Sequence, residues 1–157
     1  MTKSIAHRLI HGERGTAVVE MALVLPLLLL LLLGMLDFGR IYNYWIDETH
    51  LSNEGARYAV VDKNPGPGAT LQETIRGKAD TVELRNGSSS VTDPVEVCID
   101  FPNGSSNVGD PVRVTVKATY TFMSFITGKT GLASKEIKST TTMRLERQPT
   151  NYTAGCA

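Results

Sequence analysis

The chain has 157 residues, with 16 Lys plus Arg against 16 Asp plus Glu and a formal net charge of zero. That balance, with no long basic run, argues against nucleic acid as a partner, and a chain of this length holds one modest domain beside its apolar N-terminal stretch. Its two cysteines, Cys98 and Cys156, are far apart and lack the CxxC spacing of a zinc or thioredoxin-like motif.

Residues 1–15 are basic, with Lys3, Arg8 and Arg14. His7 and His11 are four apart, but no third ligand lies near them, so no metal site is expected. From Thr16 to Leu36 the sequence reads TAVVEMALVLPLLLLLLLGML. As a helix rising about 1.5 Å per residue it covers roughly 31 Å, the thickness of a bilayer core of about 30 Å. A cleavable secretory signal has a shorter apolar stretch of about 7–15 residues and a small-x-small site, which Gly34-Met35-Leu36-Asp37 does not supply. An uncleaved signal anchor fits the hydropathy equally well. Basic residues before the span and Asp37, Asp47, Glu48 and Glu54 after it place the N-terminus in the cytoplasm, against the nearby Arg40 and Arg57. Pro26 removes one backbone donor inside the span, so a kink or an unwound turn is expected there. Glu20 is the one ionisable residue from Thr16 to Leu36. Its burial would cost about 2.5–3.5 kcal/mol at mid-bilayer and less near the edge, so it needs a partner or must snorkel to the cytoplasmic boundary.

Residues 37–61 have no proline and few glycines, and are expected to prolong the span into a helical stem. Phe38, Ile41, Tyr42 and Trp45 recur at helical spacing, a face that would pack on the sheet or on another subunit's stem. Tyr42, Tyr44 and Trp45 also suit the headgroup layer, and both uses are compatible. Asn64-Pro65-Gly66-Pro67-Gly68 ends the stem. Thr70 with Glu73 reads as a capping box, and Leu71, Ile75, Ala79 and Val82 extend a second helix to about Leu84.

Val95, Val97, Ile99 and Phe101 alternate with other residues, and Val112 to Phe122 does so more strictly, which predicts two half-buried strands joined by a turn at 103–111. Residues 136–146 predict a third strand, with Ile137, Met143 and Leu145 on one parity. The fold class expected is α+β: a long N-terminal helix, a short second helix and a small antiparallel sheet of about three strands. Cys98 is opposite in parity to Val97 and Ile99, and a bond to Cys156 would staple the tail. An oxidising compartment favours that bond; two free thiols or an intersubunit link are the alternatives.

The segment Arg14-Gly15-Thr16-Ala17-Val18-Val19-Glu20-Met21-Ala22-Leu23-Val24-Leu25-Pro26 resembles the N-terminus of TadE-like proteins, pseudopilins of tight-adherence (type IVc) pilus systems. The resemblance continues through Gly34, Asp37, Gly39 and Arg40 into Asn53-Glu54-Gly55-Ala56-Arg57-Tyr58-Ala59-Val60, together about a third of the chain. It implies a bacterial inner-membrane protein cut by a prepilin peptidase between Gly15 and Thr16. The resulting divisions are a leader at 1–15, a span at 16–36, a stem at 37–61 and an exported domain at 62–157. It also implies that Glu20, fifth in the mature chain, gains the new Thr16 amine as a counter-charge in its own or a neighbouring subunit.

Partners implied are the peptidase, other pilins, the inner-membrane assembly machinery and the lipid bilayer. Major pilins of such systems are short and nearly all helix, whereas almost one hundred residues follow Val61 here, which favours a minor or pseudopilin. Only His50 lies outside the leader, and no Ser/His/Asp set is apparent, so neither catalysis nor a cofactor is expected. The competing reading is a signal-anchored binding module or adhesin that never enters a filament.

Overall fold

The computed structural model describes residues 6–124 and 133–157, with side chains described from residue 15 onward. Lys3 and the side chains of His7, Arg8, His11 and Arg14 lie outside the described residues. The chain divides into two compact units, Met1–Phe38 and Gly39–Ala157. Helix α1 runs from Ala6 to Val60 and contains Pro26 without interruption of its helical backbone. An unwound turn at Pro26 is therefore not present.

In the second unit, the part of α1 beyond Gly39 lies on an antiparallel sheet with α2 (Leu71–Arg76) and α3 (Val82–Asn86). The strands are β1 (Glu96–Asp100), β2 (Pro111–Thr121), β3 (Ser134–Arg144) and β4 (Gly155–Cys156), in the order β3-β2-β1-β4. The class is α+β, with one strand more than the alternation in the sequence announces, because β4 is only two residues long. Period-two alternation sends Val97, Ile99, Val112, Val114, Val116 and Tyr120 to the helix-covered face, all fully or nearly fully buried. On β3 the same face carries Ile137, Ser139, Thr141 and Met143, since these stand opposite Ala118, Val116, Val114 and Val112. Leu145, just past β3, is buried.

One expectation here needs correction. The capping box at Thr70 and Glu73 forms, but the helix it starts stops at Arg76. Gly77 is a poor helix former, and beyond it the N–H groups of Asp80 and Thr81 turn to the Asp47 carboxylate at 3.2 and 2.9 Å instead of continuing the ladder. A separate helix then begins at Val82, whose side chain is exposed while Leu84 is buried. Of the two uses expected of the Phe38, Ile41, Tyr42 and Trp45 face, the contact with the sheet is made by a different face. Tyr44, Leu51, Ala56 and Ala59 are buried, whereas Phe38, Tyr42 and Trp45 are exposed, and Ile41 is only partly buried. Of the two compatible uses given for Tyr44, packing on the domain is the one seen: its ring packs against Tyr120 with centroids 5.7 Å apart.

The tail is held at several points that the sequence does not announce. The last carbonyls of α1 have no intrahelical partner and need donors. Ala59 receives the Tyr152 hydroxyl at 2.8 Å, and Val60 receives the N–H groups of Glu146 and Arg147. Asp62, in the left-handed region at φ 52°, accepts both backbone and side-chain bonds from Thr150 and Asn151. Gln72 donates its amide to the carbonyls of Thr153 and Gly155. Cys98 and Cys156 are bonded across β1 and β4, with Cα atoms 4.0 Å apart. Their neighbours Val97 and Ala157 exchange both backbone hydrogen bonds, so the cysteines occupy the non-hydrogen-bonded pair, where side chains stand closest.

Candidate functional site

Two parts of α1 carry the chemistry singled out above, and they differ in what surrounds them. In the first, Val18 to Leu36 is apolar apart from Glu20 and exposed almost throughout; Leu23 and Leu27, for example, retain 74% and 73% of their surface. No part of the apolar window is buried inside the chain, and the helix is long and apolar enough to cross a membrane. Hydrocarbon or other chains are the only available cover for such a surface.

Thr16 and Glu20 lie four residues apart on this helix, hence on one face and about 6 Å apart along the axis. Both are exposed. The Gly15–Thr16 bond lies within helical backbone, and a Cβ added at Gly15 would meet nothing within 4 Å. Among the described residues, nothing packs against Gly15. At that position its effect on the helix is local: about 1 kcal/mol of weakening relative to Ala.

The second part is the stem. Its buried stripe repeats at 44, 47/48, 51/52, 55/56 and 59/60, the spacing of a helix face laid on a sheet. Gly55 lets the backbone come close, since an added Cβ would stand 2.9 Å from Ile75 Cδ1 and 3.2 Å from Val114 Cγ1. Ala56 and Ala59 are both fully buried in the same core. The small residues of Gly55-Ala56-Arg57-Tyr58-Ala59 are thus explained by contact with the chain's own sheet and α2. Toward the sheet edge the stripe becomes polar. Ser52 Oγ lies 3.1 Å from Ser139 Oγ and 3.0 Å from Thr141 Oγ1, and Thr141 donates to Asn53.

Two acidic residues of the stripe were legible only as exported-side charge. Asp47 anchors the start of α3, accepting the N–H and hydroxyl of its N-cap residue Thr81, each at 2.9 Å. Glu48 is fully buried, and neither carboxyl oxygen has a hydrogen-bond partner among the described residues. Burial, then the nearby Asp47 and Glu136 charges, push its pKa up to about 8. The stem's other side is solvent-facing, with Trp45, Ile46, Thr49, His50 and Asn53 along one shallow depression.

Among the described residues, one set of metal-type ligands comes together, Glu96 with Cys98 and Cys156, and the disulfide uses both of its sulfurs. Residues 15–57 match the family model described as TadE-like protein, in agreement with the resemblance carried by Arg14–Pro26 and the stem. No curated protein and no solved structure matches the chain. The matched stretch covers the exposed apolar helix and most of the stripe that seats the stem, and it ends before the sheet begins.

Proposed function

We propose that this TadE-like chain, a tight-adherence pilus-associated protein with one apolar helix able to span a membrane, is a pseudopilin or minor pilin that acts by subunit association and not by catalysis. The observation that carries the reading is the matched stretch at residues 15–57, with its span left uncovered by the rest of the chain. A prepilin peptidase would cut after Gly15, in the inner membrane, with the N-terminus cytoplasmic and residues 62–157 exported. Because the Gly15–Thr16 bond lies in helical backbone, cutting there requires a turn to open, and glycine eases that opening while presenting no side chain to a confined protease site. The amine released on Thr16 would lie one turn from Glu20 and supply the charge that a carboxylate in a low-dielectric layer needs. Pairing within the chain or across neighbours would then set the axial offset of adjacent helices.

The test is co-expression with the cognate peptidase and measurement of intact mass. Wild type is expected to yield a chain beginning at Thr16, and Gly15→Val to remain uncut. Glu20→Gln is expected to be cut normally and to lose crosslinks to partner pilins. An uncut wild-type chain would favour the signal-anchored adhesin. Normal assembly of Glu20→Gln would reduce Glu20 to a boundary residue that snorkels.

A further inference from the structure

We infer that Glu48 is a charge-sensitive latch between the stem and the sheet: the seam between α1 and β3 stays closed while the Glu48 carboxyl is neutral and loosens when it ionises. A buried polar group without a partner is rare in folded proteins and requires a physical account. Glu48 is fully buried, and both of its oxygens lack a partner among the described residues. It sits one turn from Tyr44, which packs on Tyr120, and one turn from Ser52, which bonds Ser139 and Thr141. A carboxyl placed between those contacts is enclosed by the seam itself. A fixed charge there has two ways to regain solvation: a cation must enter, or the seam must open.

The charged and titratable groups around it do not favour the first way. Asp47 precedes it on α1, with its carboxylate committed to Asp80 and Thr81. On β3, Glu136 adds a like charge; Lys135, opposite Tyr120, belongs to the helix-covered face, but its side chain is exposed and no cation acts on Glu48 to lower its pKa. Asp80, in the connection between α2 and α3, is exposed and gives Asp47 its N–H. The surrounding contacts at the β3 edge are hydroxyl pairs, which water can replace at little cost. Farther along the same stripe, Gly55 lies against Ile75 of α2 and Val114 of β2, away from the hydroxyl pairs on β3. Opening is therefore confined to the edge-strand side.

The sign follows from linkage. A carboxyl whose pKa is higher in the closed state binds more protons there, so closure is strongest below the ordinary value and weakens as pH rises toward the raised one. With limits of 4.5 and about 8, the opening constant should climb about tenfold per pH unit across that window and level off above it.

Hydrogen exchange of the full chain in detergent, read at residues 44–52 and 134–141 from pH 5 to 9, tests this. Glu48→Gln at each pH cancels the intrinsic exchange chemistry, and Glu48→Met serves as a second neutral variant if the amide perturbs packing. The expected result is a rising opening constant in wild type and a flat one in both variants, with β1 and the adjacent half of β2 unaffected. Three results would overturn the proposal: a flat wild-type profile, a pH dependence that survives in the variants, or one spread equally over the whole sheet.

Discussion

The seating of the stem on its own sheet can be tested at Gly55, where two opposing effects of known size meet. Replacing glycine by alanine in a helix interior stabilises by about 1 kcal/mol through backbone propensity alone. The new Cβ, however, would lie 2.9 Å from Ile75 Cδ1, with Ile75 Cγ2 and Val114 Cγ1 both at 3.2 Å. Overpacking of a filled core costs about 1–3 kcal/mol, so Gly55→Ala should be destabilising by about 0–2 kcal/mol net. Ile75→Val removes the nearest atom and costs about 0.5–1.5 kcal/mol by itself. In that background the 2.9 Å contact is gone, and Gly55→Ala should become neutral or stabilising, a coupling of about 1 kcal/mol between the two sites. Urea denaturation of the four chains, with the disulfide intact and near-ultraviolet circular dichroism as the signal, measures the cycle. Additive effects, or a stabilising Gly55→Ala in the wild-type background, would refute the claim that close packing explains this glycine.

Reduction of Cys98–Cys156, or Cys98→Ser with Cys156→Ser, closes no loop over the separation of 58 residues and should destabilise by up to about 4 kcal/mol on the chain-entropy model. Hydrogen exchange at residues 150–152 should nevertheless stay protected, because Asp62 and Ala59 hold that part of the tail independently. Asp62 should make the tail acid-labile. Partial desolvation works against its ionised form, but the bonds from Thr150 and Asn151 win and hold its carboxyl below the ordinary aspartate range. A lowered folded-state pKa contributes stability above the unfolded value and loses it as pH falls through the folded one. Exchange at 150–152 should therefore rise in acid below the usual aspartate pKa, and Asp62→Asn should show the looser tail already at neutral pH.

Local signals in the sequence were strong where one rule acts alone. Val112 to Thr121 alternates without exception and forms β2, and Thr70 with Glu73 forms its capping box. The signals failed where a distant group intervened. Nothing in Leu71–Leu84 shows that Asp47, more than twenty residues earlier, will take up the N–H groups of Asp80 and Thr81 and divide the helix in two. The sheet-facing side of the stem was not legible because Phe38, Tyr42 and Trp45 are the larger side chains, whereas a helix lying close on a sheet selects smaller ones, Gly55, Ala56 and Ala59. Glu48 has the composition of a solvent-facing residue, and its burial is set by the position of β3. The two-residue β4 is shorter than any periodicity can register, and the tail's attachment at Asp62 depends on a left-handed backbone at a non-glycine residue.

The stem belongs to the earliest-made part of the chain, while the strands that cover it come last. Tyr44, Leu51, Ala56 and Ala59 emerge with α1, yet their partners extend to Leu145 and Tyr152. At a synthesis rate of about 5–20 residues per second, the stretch from Val60 to Leu145 takes roughly 4–17 s to produce. For that interval the stripe of small and apolar side chains lacks part of its native cover. The stripe therefore waits for its complete cover until the last strands have been made.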